Sequence, residues 1–248
     1  ITLQMGHFVK TAAALATPFD PALDAGEEFD YYLRMWLRFS CVKIDLPFFF
    51  NRRHTYAGGP RAATDGDWRV AVERIICAKC VALDFHADFA WRGENFRFYV
   101  GDPFDPIHRC FLKRRFFEPD ELAFVETWVK PAAAIVEVGA HVGNHVVYYA
   151  RFMRPRKITV LEPNPQAVAL LRRNLAANDV ADADLSLLGI GASDISANYD
   201  FVRASSANRG AGRLVRAADG KVKCAPLDDL VCGQVDFIRI DVEGMELA

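Results

Sequence analysis

Two glycines four residues apart, set directly behind a short apolar run, constrain this chain more than any other feature. They occur in Ile135-Val136-Glu137-Val138-Gly139-Ala140-His141-Val142-Gly143-Asn144. Glycine carries no Cβ and adopts backbone angles that other residues avoid, so such a turn lets the main chain approach a ligand closely. A helical pattern holding Tyr148, Tyr149 and Phe152 follows, which delivers that ligand to a helix N-terminus. The run before the turn is short, apolar and β-branched, the signature of a parallel strand buried on both faces.

The chain downstream repeats the unit. Ile158 to Leu161 predicts a second buried strand ending in Glu162, and Asn164-Pro165 supplies an N-cap followed by proline at the first helical position. Val168, Leu171 and Leu175 mark that helix's inner face, and Asn178-Asp179 closes it. Leu185 to Ile190 predicts a third strand running into Gly191-Ala192-Ser193-Asp194. Tyr199 to Arg203, Gly212 to Ala217 and Lys221 to Ala225 then predict short strands, with Asp219-Gly220 as a hairpin turn. After a brief helix from Pro226 to Leu230, Val235 to Ile240 predicts a fourth buried strand ending in Asp241-Val242-Glu243-Gly244. Strand–helix alternation of this kind implies an α/β fold, a Rossmann-like parallel sheet with flanking helices and right-handed crossovers. The polar residues collect at the carboxyl ends of the strands, where such sheets bind ligands.

Residues 1–90 predict an N-terminal α+β extension with no chemistry of its own, and 91–248 the ligand-binding domain. Ala25 to Ser40 patterns as an amphipathic helix with Phe29, Leu33, Trp36, Leu37 and Phe39 on its apolar side. Val42 to Leu46 alternates as a strand, Asn51 to Gly66 reads as a loop or a linker, and Asp67 as the N-cap of a helix carrying Trp68, Val72, Ile75 and Ile76. Cys77-Ala78-Lys79-Cys80 lacks two further ligands at zinc-site spacing and predicts buried structural thiols. Phe96 to Val100 predicts a strand, and Pro119 opens a helix whose stripe is Leu122, Val125, Trp128 and Val129.

Composition excludes several classes. Hydrophobic residues make up 52% of the chain, enough to form a core, and the net charge of -2 gives no overall attraction for nucleic acid or an anionic membrane. No apolar run reaches the roughly 20 residues of a membrane span. Six cysteines in a chain of this length predict a reduced, cytoplasmic setting. A start without Met and a stop after the fourth strand predict a fragment of a longer protein, its last strand an exposed sheet edge.

Two acids narrow the ligand. The turn reads Glu-x-Gly-x-x-x-Gly, with His141 where a dinucleotide fingerprint has its second glycine. Glu162, at the tip of the next strand, can accept both hydroxyl hydrogens of a ribose. A turn without the third glycine suits a nucleoside cofactor lacking a pyrophosphate, which points to S-adenosylmethionine (SAM). Val136 to His145, Leu161-Glu162-Pro163-Asn164-Pro165 and Ile238 to Glu246, with Phe117-Glu118-Pro119 and Gly191 to Asp194, resemble the FkbM family of SAM-dependent methyltransferases. The resemblance covers roughly residues 95–248 and implies a class I methyltransferase fold without its C-terminal strands.

Carried over position by position, the resemblance puts Glu137, Gly139, Ala140 and Gly143 on the methionine and ribose side of the cofactor, with His141 and Asn144 in the same turn. Glu162 would hold the ribose hydroxyls with Pro163 and Asn164 beside it, and Ala192 and Ser193 would lie near adenine. Asp241 and Glu243 would face the transferring methyl group and the acceptor, with His145 as a further catalytic candidate. The reaction implied is O-methylation of a small-molecule or glycan hydroxyl, with one of these groups as general base. His141 and His145 straddle the turn, and no metal is expected between them. Rival readings are a non-catalytic methyltransferase-like interaction module and an NAD-type oxidoreductase. The sequence fixes neither the acceptor nor the oligomeric state.

Overall fold

The computed structural model describes residues 9–23, 26–40, 65–203 and 212–242. The chain divides into two compact units, Ile1–Ala78 and Lys79–Ala248. The expected strand at Val42 to Leu46 and the loop from Asn51 lie outside the described residues.

The first unit contains α1 (Thr11–Leu15), α2 (Glu27–Arg38) and most of α3 (Asp65–Ala82). Helix α2 buries Asp30, Tyr31 and Met35, whereas Trp36 and Leu37, expected on its apolar side, are exposed. Asp30 is buried because Arg34, one turn on, donates to it at 2.6 Å, so a charged pair takes part of the inner face. Helix α3 begins at Asp65, ahead of the expected cap at Asp67. Its Cys77 and Cys80 are half-buried.

The second unit opens with a hairpin, β1 (His86–Trp91) and β2 (Glu94–Tyr99), turned at Arg92 and Gly93, both of positive φ. Helices α4 (Pro106–Leu112) and α5 (Pro119–Trp128) follow, each with proline in its first turn as the preset proline φ favours. Leu122 and Val125 of α5 are buried while Trp128 is exposed, so its apolar stripe is narrower than its sequence suggests.

The parallel sheet is built from β3 (Ala134–Val138), β4 (Lys157–Leu161), β5 (Ala183–Asp184) and, further on, β10 (Phe237–Ile240), in the order β10-β3-β4-β5. Strand β3 is buried at all five positions. Between β3 and β4 run α6 (Asn144–Tyr148) and a π-helical turn (Tyr149–Met153), and α7 (Pro165–Ala177) follows β4. Asn164 caps α7 by accepting from the Gln166 N–H at 3.0 Å. The core above the sheet joins Phe96, Phe98, Phe111 and Phe116 of the lead-in to Val146, Tyr148, Tyr149, Leu171 and Leu175.

Two expectations need correction. The third strand is broken. Asp184 turns its carboxylate onto the N–H and hydroxyl of Ser186, and Gly189 enters the left-handed region, so pairing with β4 lapses after Asp184. Pairing is restored only at an isolated Glu162–Leu188 bridge. The chain then feeds β6 (Ile190–Ala192) into a second sheet with β7 (Ala197–Arg203), β8 (Gly212–Arg216) and β9 (Val222–Ala225), ordered β6-β9-β7-β8. There β8 and β9 both pair with β7, so Asp219-Gly220 joins strands that are not paired to each other.

The fourth strand is not buried. A short helix α8 (Leu227–Leu230) leads to β10, where Ile238 and Ile240 are 44% and 48% exposed. The reason is register: Arg239 stands opposite Glu137 of β3, and the inward face is given to that charged pair. Among the described residues β10 is a sheet edge, and no helix is long and apolar enough to cross a membrane.

Candidate active site

A cavity of about 320 Å³ lies at the carboxyl ends of β3, β4 and β10. The glycine turn is its floor. Gly139 has φ +87°, and a Cβ there would meet the Asp241 carbonyl oxygen at 1.9 Å, so both angle and space demand glycine. The Gly139 and Ala140 N–H groups both donate to the Leu161 carbonyl at 3.0 Å, locking the turn to β4. His141 takes a positive φ of 47°, in the left-handed region, where non-glycine residues are uncommon.

Glu162 is buried at one end of the cavity. One of its oxygens accepts from the His141 N–H at 2.7 Å and the other from the Asn164 N–H at 2.8 Å. Burial raises its pKa, and these two N–H donors work against that rise. Each oxygen keeps a further lone pair for a ligand hydroxyl. Pro163, Asn164, Ala192 and Ala140 line the same end, and Phe201 and Leu214 of the second sheet wall it. A wall made by β7 and β8 could not be foreseen from strand alternation.

The other end is a charge network around Arg239. Its guanidinium lies 3.1 Å from Glu118, 3.2 Å from Glu121, 3.3 Å from Glu137 and 3.1 Å from Asp241. Burial opposes the Arg239 charge, but Glu137 and Asp241 outweigh it and hold the proton more tightly than usual. His145 stands between Glu118 (Nε2, 3.5 Å) and Glu137 (Nδ1, 3.6 Å). Burial pushes the Glu137 carboxyl up to about 7 against the pull of His145 and Arg239. His145, ahead of Arg239, outweighs burial at Glu118 and holds it below the usual carboxylate range. Asp241 is half exposed and faces the cavity.

The expected residues therefore divide. Ala140, His141, Asn144, His145, Glu162, Pro163, Asn164, Ala192 and Asp241, with Gly139, line the cavity together. Asn144 is 1% exposed, and its side chain is spent on the Phe117 backbone, accepting from N–H at 2.9 Å and donating to C=O at 3.1 Å. Glu137, Gly143 and Ser193 stand behind the lining: Glu137 is wholly buried, Gly143 faces Leu171 and Leu175, and the Ser193 hydroxyl donates to the Ile195 carbonyl. Glu243 lies outside the described residues. Asp105, Glu118 and Arg239 also line the site and were not assigned to it by sequence. The Arg239–Glu137 pairing is a cross-strand register that strand-by-strand reading does not reveal.

The residues present fit SAM. At one end a buried carboxylate keeps lone pairs of the kind that accept ribose hydroxyls. Carboxylates exceed guanidinium at the other, which suits a cationic sulfonium and an amino group.

The family model of the methyltransferase FkbM domain matches residues 137–248. No curated protein matches the chain. Among solved structures, the methyltransferase FkbM from Methylobacillus flagellatus is 19% identical, with a TM-score of 0.30 over 47% of this chain and 27% of its own. TYW2 of M. jannaschii, solved in complex with AdoMet, is 14% identical, with a TM-score of 0.29 over 40% of this chain and 42% of its own. A precorrin methyltransferase from Geobacter metallireducens is 20% identical, with a TM-score of 0.25 over 28% of this chain and 36% of its own. The chain thus spans less than half the length of each of these proteins.

Proposed function

We propose that this chain, whose residues 137–248 match the model of the methyltransferase FkbM domain, is a SAM-dependent methyltransferase that methylates a hydroxyl oxygen of a small molecule or glycan. When bound, SAM supplies an electrophilic methyl group on a sulfonium, so the protein's task is mainly to hold and orient the reacting atoms.

Glu162 accepts the ribose hydroxyls, and the His141 and Asn164 N–H groups keep its carboxylate aimed at them. Gly139 and Ala140 let the donor lie against the backbone between β3 and β10. The observation that carries the hydroxyl reading is the set Asp241, Glu118 and His145, which converges on the cavity around Arg239. A hydroxyl must lose its proton as the new C–O bond forms, and a carboxylate at this end can take it. Arg239 holds Asp241 and Glu118 in place, and Glu137 orients His145 from behind. Glu243 is assigned to the same acceptor side from its place beside Asp241 in the sequence. The net charge of -2 favours a neutral or small acceptor over a polyanion.

The test is Asp241→Ala, assayed for S-adenosylhomocysteine formation with hydroxyl acceptors. Turnover is expected to fall at least ~100-fold, the scale of a lost general base, with the circular-dichroism melt little changed. Undiminished turnover removes Asp241 from the mechanism.

A further inference from the structure

At the wall of the cavity, separate from the residues bound to Arg239, lies a second polar cluster whose side chains the methyl-transfer reading does not use. Asp105, His108 and His141 each place one ligand atom so that all three lie within 4.8 Å of one another. Asp105 and His108 are 4% and 2% exposed. The rings of His108 and His141 are 5.9 Å apart, and His141 Nε2 is 3.8 Å from Asp105 Oδ2.

Each histidine of the cluster has a buried ring nitrogen with no hydrogen-bond partner, His108 Nε2 and His141 Nδ1, while His141 Nε2 is the nitrogen near Asp105. An unpartnered polar atom at this depth loses its water without compensation, commonly at a cost of about 1–3 kcal/mol. The groups around them are already committed elsewhere. Asp105 Oδ1 caps α4, accepting from the N–H groups of Ile107 (2.8 Å) and His108 (3.2 Å), which leaves Oδ2 facing the histidines. His108 Nδ1 lies 2.9 Å from the Asp102 carbonyl oxygen. The Asp102 N–H lies 2.9 Å from the same nitrogen and can donate to it, so a cation at Nε2 selects the other tautomer, in which Nδ1–H donates to the carbonyl and the Nε2 lone pair is free, the usual outer-sphere arrangement of a metal-binding histidine.

We propose that Asp105, His108 and His141 form a site for one divalent transition cation of the zinc type. Two imidazole nitrogens and one carboxylate oxygen are its preferred donors, with a fourth position open to water on the cavity side. Ligand atoms of a tetrahedral zinc site are about 3.4 Å apart, so closing the cluster asks for shifts of about 1 Å. Magnesium is excluded by chemistry, since it favours an oxygen octahedron and keeps its waters. The second acid–histidine cluster, Glu118, Glu121 and His145, is unsuited because the Arg239 guanidinium already occupies it. A bound cation would tie α4 to the glycine turn at His141, whose N–H holds Glu162. The site requires only the fold of the second unit, so it stands or falls separately from the acceptor assignment.

The test is calorimetric titration of the whole chain with Zn²⁺ and, separately, with Mg²⁺, repeated on a Cys77→Ser/Cys80→Ser variant to remove the thiols of α3. One equivalent of Zn²⁺ is expected in both proteins, with no heat from Mg²⁺ at the same concentration. His108→Gln and His141→Asn should each weaken Zn²⁺ binding roughly 10–100-fold or more, as loss of a ligand does. His141→Asn keeps the test sound if His108→Gln misfolds, because asparagine tolerates the positive φ at that position. The proposal is overturned by no Zn²⁺ uptake in the folded parent chain, by affinities unchanged in both histidine variants, or by binding that vanishes with the cysteines.

Discussion

His141 and His145 are one helical turn apart in sequence and keep opposite company. His141 looks toward Asp105 and His108, a pocket of unpartnered nitrogens with no arginine or lysine in the cluster. His145 is set among Glu118, Glu137 and Arg239, three ionisable groups within one network. The division comes from Gly139 and His141 themselves, whose positive φ angles throw successive side chains to different sides of the turn. Partners for both histidines come from one short lead-in, Asp105 to Glu118. One turn thus builds a side without a guanidinium, suited to a ribose and a soft cation, and a side organised around Arg239, suited to a sulfonium and a proton acceptor.

The largest way to break that division is Gly139→Ala. A Cβ at 1.9 Å from the Asp241 carbonyl, on a backbone at φ +87°, forces the turn and β10 apart. The loss is expected to exceed about 3 kcal/mol, with both cofactor binding and turnover abolished. A thermal melt unchanged from the parent would contradict the geometry.

Two asparagines test the sides separately. Buried Asn174 accepts from the Tyr99 N–H at 2.7 Å and donates to the Val142 carbonyl at 2.8 Å, steadying the turn just after His141. Asn144 does the same for Phe117, next to Glu118. Each change to alanine leaves two buried backbone groups unpaired and should cost about 2–4 kcal/mol in denaturant melts. Asn174→Ala is expected to weaken S-adenosylhomocysteine binding more than Asn144→Ala does. Equal weakening would mean that the two sides are one unit.

Glu137 sharpens the contrast through pH. Its folded pKa is raised from 4.5 to about 7, chiefly by burial, so the folded protein holds a proton that the unfolded chain has released. That contribution is complete below about pH 4.5 and declines as pH rises toward 7, at up to about 1.4 kcal/mol per pH unit. Glu118, lowered by His145, contributes with the opposite sign and is lost as pH falls. Glu137→Gln should therefore flatten the fall in stability between those two values, measured as urea midpoints across the range. His108, lowered to about 4 chiefly by burial, also contributes with the opposite sign, so the parent–variant difference is the readout, and equal pH slopes in the two proteins would refute the assignment. The smallest effect is expected from Arg97→Ala, which breaks an exposed pair with Asp88 remote from the turn and should leave the denaturant midpoint nearly unchanged.

Much of this architecture was legible because it rests on local signals. Buried β-branched runs marked β3 and β4, Asn164-Pro165 marked the start of α7, and the glycine pair marked the floor of the cavity. Register and long-range approach were not legible. Nothing local in Val235 to Ile240 says that Arg239 turns inward because Glu137 lies opposite, or that the isoleucines turn out. The break after Asp184 follows from a side-chain bond to Ser186 that overrides an apolar pattern. Asp105 and His108 carry no motif with His141, and only the packing of α4 brings them together.

The proposed donor pocket depends on Glu162 as the cofactor's anchor. Calorimetric titration of the chain with S-adenosylhomocysteine tests it most directly when repeated on Glu162→Gln. One molecule should bind the parent, and the variant should bind roughly 10–100-fold more weakly, as expected for the loss of hydrogen bonds to a charged carboxylate. Equal affinity in the two proteins would show that the ribose does not meet Glu162 and would contradict the pocket described here.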